Sequence, residues 1–573
     1  MTSFSITLDG RAVDVTPGQT VLEAARKLGL DIPTLCYLER CGPLTSCLAC
    51  VVKVDRNGAG RLVPACATRV QPGMRIESET SEVRDARRTA LELLLSDHVG
   101  DCLSPCHRIC PLGLNVPRMI RQVQAQRLDE AVRTLREAIA LPAVLGRLCH
   151  HPCENGCRRG VCDSPTAIRD LERYVADTAL RREPPSPEGT GFPRELRQEG
   201  HLFPKNRPGP DASSPRSTPP LPAAERASAC PPSSGKSVAI VGAGPTGLTA
   251  AYHLLRDGHA CTLFDRQAEP GGSLRAVDQT TLPRAVLEAE TGLIASLGAQ
   301  FKTATVLGRD VSLGDLERRF DAVLLAPGQL ARDEIQALGL ESTGTGIRID
   351  VRTFQARAPK VFAAGSALKP IKQLIRAMSD GQEAARCLHE FLSRGEIRPA
   401  TKPFSSVMGR LEREEIERVR SCGSPAARVE PAGGVEAGLT DAEAVREAQR
   451  CLHCDCRAAG DCKLQYYAER YGADPGRFSR QRRLFEQQAR HAEVIFEPGK
   501  CILCGICVAL TRQAGEPLGL TFVERGFDVR VAAPLDRPFA DGLRQAAADC
   551  VKNCPTGALA FKESSPAGRG GEA

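Results

Sequence analysis

Tryptophan is absent from the 573 residues, aromatics make up 4 % and methionine occurs five times. The tryptophan gap fits a bias towards Ala, Arg, Pro and Gly along the whole chain and points to no site. No run of about eighteen apolar residues occurs either, which excludes a helix spanning a bilayer and leaves docking on a membrane partner open. A basic, then apolar, then small-residue leader is lacking. The opening MTSFSITLDGRAVDV alternates like a strand, so secretion is not expected and a cytoplasmic location is. The formal charge of +7 is spread out, and the arginines form no stripe interleaved with aromatics, so no nucleic-acid surface is expected. No Ser, His and Asp constellation or open metal site can be assigned to a substrate.

Cysteine is the residue present in excess. Twenty-five are too many for an ordinary cytosolic core, and without a leader the alternative to a disulfide framework is a set of metal ligands. The length exceeds one hydrophobic core and divides into about three to five domains.

Residues 4 to 16 read as strand, turn at Gly10 and strand, and TVLEAARKLGL from Thr20 as a short helix closed by Gly29. Cys36, Cys47, Cys50 and Cys66 follow, and four thiolates complete one diiron cluster. The close pair Cys47 and Cys50 lies in a loop with Gly42, where backbone amides can face the sulfides; Cys41 is left over. A zinc site would need the same cysteines but not this framing. The module resembles the N-terminal domain of the large iron–sulfur subunit of complex I and of related hydrogenase and formate dehydrogenase subunits, a likeness that extends through ARRTALELLLSDH.

His98, Cys102, Cys106 and Cys110 come next at even spacing, and Cys149, Cys153 and Cys157 repeat that spacing after a helical stretch. These are too many ligands for one cubane, and paired clusters commonly interlace their cysteine runs. DCLSPCHRICPLGLNVP, LGRLCHHPCENGC and AIRDLERYVAD resemble the N-terminal helical domain of the glutamate synthase small subunit and of dihydropyrimidine dehydrogenase. The resemblance implies one [4Fe–4S] cluster on Cys102, Cys106 and Cys157, and a second on Cys110, Cys149 and Cys153 completed by Glu172. That family has a further cysteine upstream. This chain has His98 there, in a context like that of complex I, where a histidine ligates iron, so His98 becomes the implied fourth ligand of the first cluster. A neutral imidazole in place of a thiolate makes a cluster easier to reduce. Cys162 lacks a partner.

From 182 to 235 the chain is rich in Pro, Ser, Arg and Gly, without apolar periodicity, and reads as a disordered tether. SVAIVGAGPTGLTAAYHLLRDGHACTLFD then gives a strand, a glycine turn at Gly242, Gly244 and Gly247 with Pro245 opening a helix, a second strand and Asp265. The glycines allow a pyrophosphate to approach a helix N-terminus, and Asp265 is placed for ribose hydroxyls. Gly272, Gly365 and Ser366 complete the expected FAD contacts, the last two within VFAAGSALKP. Set against the glutamate synthase small-subunit family, Ser366 stands where an aspartate is usual and AVLLAPG, with Pro327, replaces the usual strand end. That family also inserts a nicotinamide domain, whereas here only Gln329 to Lys360 are available. A βαβ unit alone needs about 30 residues and such a domain roughly 100, so none fits, and no second glycine fingerprint occurs.

EAQRCLHCDCRAAGDCKL presents Cys451, Cys454, Cys456 and Cys462, expected to hold one [4Fe–4S] cluster with His453 as a neighbour. KCILCGICVAL and CVKNCPTGAL supply Cys501, Cys504, Cys507 and Cys554, resembling a ferredoxin-type cubane of the complex I large subunit and formate dehydrogenases, with Cys550 surplus.

The expected architecture is multidomain α+β and α/β. It comprises a β-grasp ferredoxin-like domain at 1–80, a helical domain with two [4Fe–4S] clusters at 81–181, the 182–235 linker, and a Rossmann-like FAD domain without its NAD(P) domain at 236–396. A connecting segment at 397–440, a C-terminal ferredoxin-like domain with two [4Fe–4S] clusters at 441–565 and a 566–573 tail follow. The expected cofactors are FAD, one [2Fe–2S] and four [4Fe–4S] clusters. The expected function is that of an electron-transfer subunit in a multi-subunit oxidoreductase, relaying electrons between a catalytic partner of formate dehydrogenase, hydrogenase or diaphorase type and another carrier, with bifurcation at FAD left open. Two alternatives stand beside it: a self-contained NAD(P)H oxidoreductase like the glutamate synthase small subunit, and a non-enzymatic cluster scaffold with a vestigial flavin fold.

Overall fold

The computed structural model describes residues 3–56, 59–182, 234–357, 359–399, 403–421, 423–458, 460–478 and 482–562. Nearly all of the expected tether and the whole 566–573 tail lie outside these residues. The chain is a multidomain mixed α/β protein.

The N-terminal part is a five-stranded mixed sheet in the order Arg11–Val15, Phe4–Leu8, Arg75–Glu77, Val51–Arg56, Ala59–Pro64. Phe4–Leu8 runs antiparallel to Arg11–Val15 and parallel to Arg75–Glu77. The alternation read from the sequence sets its faces, since Ile6, Leu8, Val13 and Val15 all point into one core. The Val21–Lys27 helix covers that core, and its start is fixed by a capping box: Glu23 N–H donates to Thr20 Oγ1 (3.2 Å) and Thr20 N–H to the Glu23 carboxylate (2.7 Å).

Short helices from Ser81–Leu95 to Ile168–Arg182 follow, several opened by Pro at the first turn, as at Val116–Gln124 with Asn115 as its cap. Those from Val116–Gln124 to Ile168–Arg182 share one hydrophobic core with the next sheet. Tyr252 Oη donates to Arg136 O (2.7 Å), and the buried Arg136 and Glu290 pair at 3.1 Å across the same junction.

That second sheet has six strands in the order Gln300–Lys302, Ala260–Phe264, Ser237–Val241, Ala322–Leu325, Val361–Ala363, Gln355–Arg357. All neighbours are parallel except the last pair. The near-continuous apolar strands Ser237–Val241 and Ala322–Leu325 are buried because helices lie on the sheet. Residues 329–360 contribute the short Arg332–Ala337 helix and the edge strand Gln355–Arg357.

The C-terminal part joins the first sheet through a core that includes Leu35, Cys36, Leu91, Tyr467 and Leu510. Buried Arg87 donates to Tyr471 Oη (2.7 Å), and Arg470 pairs with Asp31 at 2.5 Å. Residues expected only to connect domains act as a strap. Met408 N–H donates to Asp101 (2.8 Å), while Arg173 donates to the carbonyls of Val435 and Glu436. No helix among the described residues is long and apolar enough to cross a membrane.

Candidate functional site

The glycine turn follows strand Ser237–Val241, as its sequence predicts. Gly242 has φ 106°, and a Cβ there would lie 2.1 Å from Ala326 O, so only glycine fits. A Cβ on Gly272 would meet Gly244 Cα at 2.8 Å, which brings a second glycine loop against the first. Pro245 opens the Pro245–Arg256 helix directly after Gly244. Asp265 ends strand Ala260–Phe264 and accepts from Ala243 N–H (2.6 Å) and Gln267 N–H (2.8 Å). It thereby holds the turn closed, and each oxygen keeps a lone pair for a further donor. Gly365 and Ser366 lie in the short turn after strand Val361–Ala363. Sequence reasoning missed Asp380 beside them. Burial raises its pKa, while Lys369 and the Gly365 N–H favour its anion. The carboxylate absent at Ser366 is therefore present nearby on the following Leu374–Arg394 helix.

The cysteines fall into five neighbourhoods. Cys36 neighbours Cys47 and Cys50 neighbours Cys66, and the Cys47 thiol and the Ser46 and Cys47 amides favour a Cys36 thiolate. Cys110, Cys149 and Cys153 all neighbour Glu172. Burial pushes the Glu172 pKa up to about 8, and Glu154 adds to it. Cys501, Cys504, Cys507 and Cys554 are mutual neighbours, with Cys550 beside Cys507 and Cys554.

The remaining two neighbourhoods differ from the sequence grouping. Cys106 lies with Cys157, Cys451 and Cys454. Cys102 lies instead with Cys456 and Cys462. The CLHCDC run is therefore divided, with Cys451 and Cys454 beside Cys106 and Cys157 and with Cys456 beside Cys102. His98 neighbours Lys500, which also faces Cys102 and Cys456. Its Nδ1 is buried with no hydrogen-bond partner among the described residues, and burial lowers its pKa to about 4, which keeps the ring neutral and able to ligate.

Three cysteine runs share a backbone device that no sequence pattern showed. His151, His453 and Leu503, each two residues after a cysteine, have φ of 46°, 47° and 53°. Left-handed backbone costs such residues roughly 1–2 kcal/mol each. It turns their N–H groups onto sulfur: His151 to Cys149 Sγ (3.3 Å), Leu503 to Cys501 Sγ (3.4 Å) and His453 to Cys451. Ser406 N–H likewise meets Cys102 Sγ (3.4 Å) and Gln465 N–H meets Cys462 Sγ (3.4 Å). Amides aimed at sulfur suit anionic cluster thiolates, and they oppose the burial that, with neighbouring negative charge, pushes the thiols of Cys149, Cys451 and Cys462 up to about 12.

Fold and donor sets together define an iron–sulfur protein joined to a flavin-type oxidoreductase domain. Family profiles place a 2Fe-2S iron-sulfur cluster binding domain at 2–81, dihydropyrimidine dehydrogenase domain II with a 4Fe-4S cluster at 86–184, and a pyridine nucleotide-disulphide oxidoreductase domain at 184–381. The chain is 37 % identical over 245 residues to the NADP(+)-dependent formate dehydrogenase subunit beta of Moorella thermoacetica, a match covering 42 % of this chain and 32 % of that protein. It is 32 % identical to the NADPH-Fe(3+) oxidoreductase subunit beta of Geobacter sulfurreducens, covering 39 % and 28 %. It is also 31 % identical to the glutamate synthase [NADPH] small chain of Mycobacterium tuberculosis, covering 43 % and 42 %. The chain thus spans about a third of the length of the first two relatives and less than half of the third. The resemblance to the glutamate synthase small-subunit group read from the sequence stands.

Proposed function

We propose that this chain is the electron-relay subunit of a multi-subunit oxidoreductase, acting in the cytoplasm and paired with a catalytic subunit of formate dehydrogenase, hydrogenase or diaphorase type. The β-grasp-like domain carries one [2Fe–2S] cluster on Cys36, Cys47, Cys50 and Cys66. Four [4Fe–4S] clusters take His98, Glu172 and the other fourteen cysteines named as donors, and FAD binds the Rossmann-like sheet at Gly242, Gly244, Pro245, Gly247, Asp265, Gly272, Gly365 and Ser366. The segment bounds at 80, 181, 235, 396, 440 and 565 go with this reading.

Continuity of the donor sets is the observation that carries it. Cys504 neighbours Cys36 of the N-terminal loop. Lys500, next to Cys501, faces Cys102 and Cys456. Cys106 neighbours Cys153 of the set that includes Cys110. Ser379, on the Leu374–Arg394 helix against the flavin fold, donates to Pro111 O (3.2 Å) beside Cys110. FAD supplies exchange between one-electron and two-electron carriers when bound. The chain's own residues fix the spacing, exclude water from the sulfurs and direct amides at them.

The pyridine nucleotide-disulphide oxidoreductase match favours a second reading, in which the chain itself oxidises NAD(P)H. Against it, the described residues between 329 and 360 form one short helix and an edge strand. Anaerobic titration of the purified chain separates the two readings. Dithionite is expected to reduce flavin and clusters, and neither NADH nor NADPH to bleach the flavin. Rapid bleaching by either nucleotide would refute the relay reading.

A further inference from the structure

We propose that Cys106 and Cys157 of the helical domain and Cys451 and Cys454 of the C-terminal segment form a single [4Fe–4S] site, stitched from positions about 300 residues apart. The inference rests on the relay reading for the identity of its cofactor and on geometry for its ligands.

All four cysteines line one small, largely apolar cavity, closed by Ile120 and Ile168. The C-terminal segment is held over the helical domain by polar contacts on either side of each cysteine. Before Cys451, the fully buried Arg450 donates to Asp163 (3.0 Å) and to Ser164 O (2.8 Å). Between the two cysteines, His453 Nε2 meets Gln124 Oε1 at 3.2 Å. After Cys454, Asp455 receives both terminal nitrogens of Arg121, at 2.7 and 3.0 Å, with both residues buried. An isolated buried aspartate would be costly, and a two-pronged arginine contact fixes both its charge and its orientation. Arg159, two residues past Cys157, donates to Ser424 O (2.8 Å) and to Arg450 O (3.2 Å), which closes the frame from the other side.

Asp455 separates Cys454 from Cys456. With its carboxylate anchored on Arg121, Asp455 forms a bend that interrupts the extended alternation, which would have put both cysteines on one face, so that the two cysteines can enter different sites. Cys456 goes to Cys102 and Cys462, where a Cβ on Gly557 would lie 2.2 Å from its sulfur. The neighbouring site then comprises Cys102, Cys456, Cys462 and His98, and adjacent clusters are joined through the three-residue link Cys454, Asp455, Cys456. The cluster total is unchanged and only the membership differs, so iron content alone cannot test the sharing, but its additivity can.

The test uses the full chain, reconstituted anaerobically, with iron per chain and Mössbauer spectra as readouts. A parent value near eighteen irons supports the cluster count of the relay reading, and a value near ten overturns that count independently of the sharing. The double variants Cys106→Ala/Cys157→Ala and Cys451→Ala/Cys454→Ala should each lose about four irons, and the quadruple variant should also lose about four. A quadruple loss of about eight, the sum of the two pairs, would overturn the shared site. Should the alanine variants fold poorly, as judged by flavin content, Cys106→Ser and Cys454→Ser decide instead. Both should perturb the same cluster component of the spectrum, and perturbation of different components would overturn the proposal.

Discussion

Lys500 is a cation buried between two proposed cluster sites, and removing it should lower a reduction potential. Only 2 % of the residue is exposed, its Nζ lies 2.5 Å from Glu497 Oε2, and Glu497 is 3 % exposed. Burial opposes the charge, but Glu497 and Cys456 hold its pKa well above the ordinary lysine value, so it stays protonated. Lys500→Met leaves the carboxylate unpaired beside the set of His98, Cys102, Cys456 and Cys462. For a charge about 8–10 Å from the added electron, an effective dielectric near 20 gives about 2 kcal/mol. At about 2.3 kcal/mol per 100 mV per charge, the potential should fall by on the order of 80 mV. Lys500→Met/Glu497→Gln removes both charges and should recover most of that shift. It also avoids the roughly 3–5 kcal/mol cost of an orphaned buried ion, which makes it the better-folded variant. A redox titration followed by electron paramagnetic resonance reads both. An unmoved potential in the single variant, or an equal fall in the double one, would refute the electrostatic reasoning.

His98→Cys exchanges a neutral donor for an anionic one, so its cluster should persist at a lower potential; an unchanged spectrum and potential would remove His98 from the ligands. Glu415 is predicted to contribute acid-sensitive stability. Its side chain is fully buried, and Arg482, opposed by burial and aided by the Glu412 and Phe485 amides, holds its pKa at about 2 against an ordinary 4.5. A depressed carboxylate pKa stabilises fully above the unfolded value and is lost as pH falls from about 5 through 2, so the pair contributes about 3 kcal/mol at neutral pH. The stability gap between parent and Glu415→Gln in denaturant melts should be widest at pH 7 and narrow by pH 4; a gap that does not change with pH would show that the ion pair is not its source.

What was legible in the sequence is local. The strand, turn and strand at 4–16, the helix after Thr20 and the glycine turn at Gly242 each follow from short-range rules of alternation, capping and steric allowance, and the structure has each of them. The cysteine runs were legible for the same reason, since spacing within a run reflects one loop. Neither the left-handed backbone at His151, His453 and Leu503 nor the carboxylate of Asp380 near Gly365 has a residue-type signature, because the first uses ordinary side chains and the second comes from another element.

Which runs share a space is decided by long-range packing that spacing does not encode. Four cysteines between 451 and 462 satisfy the count for one cluster, and a local rule has no reason to divide them. The division comes from Arg121 and Arg450, two buried cations whose partners lie 334 and 287 residues away. An aspartate flanked by cysteines could have signalled this, because a carboxylate beside anionic cluster ligands is unfavourable unless a cation is built in to meet it. Arginines on otherwise apolar helix faces, such as Arg121 on Val116–Gln124, are the matching half of that signal. The same pairs that fold the C-terminal segment over the helical domain would then also set the spacing between adjacent clusters, so that assembly of the chain and continuity of the electron path depend on the same contacts.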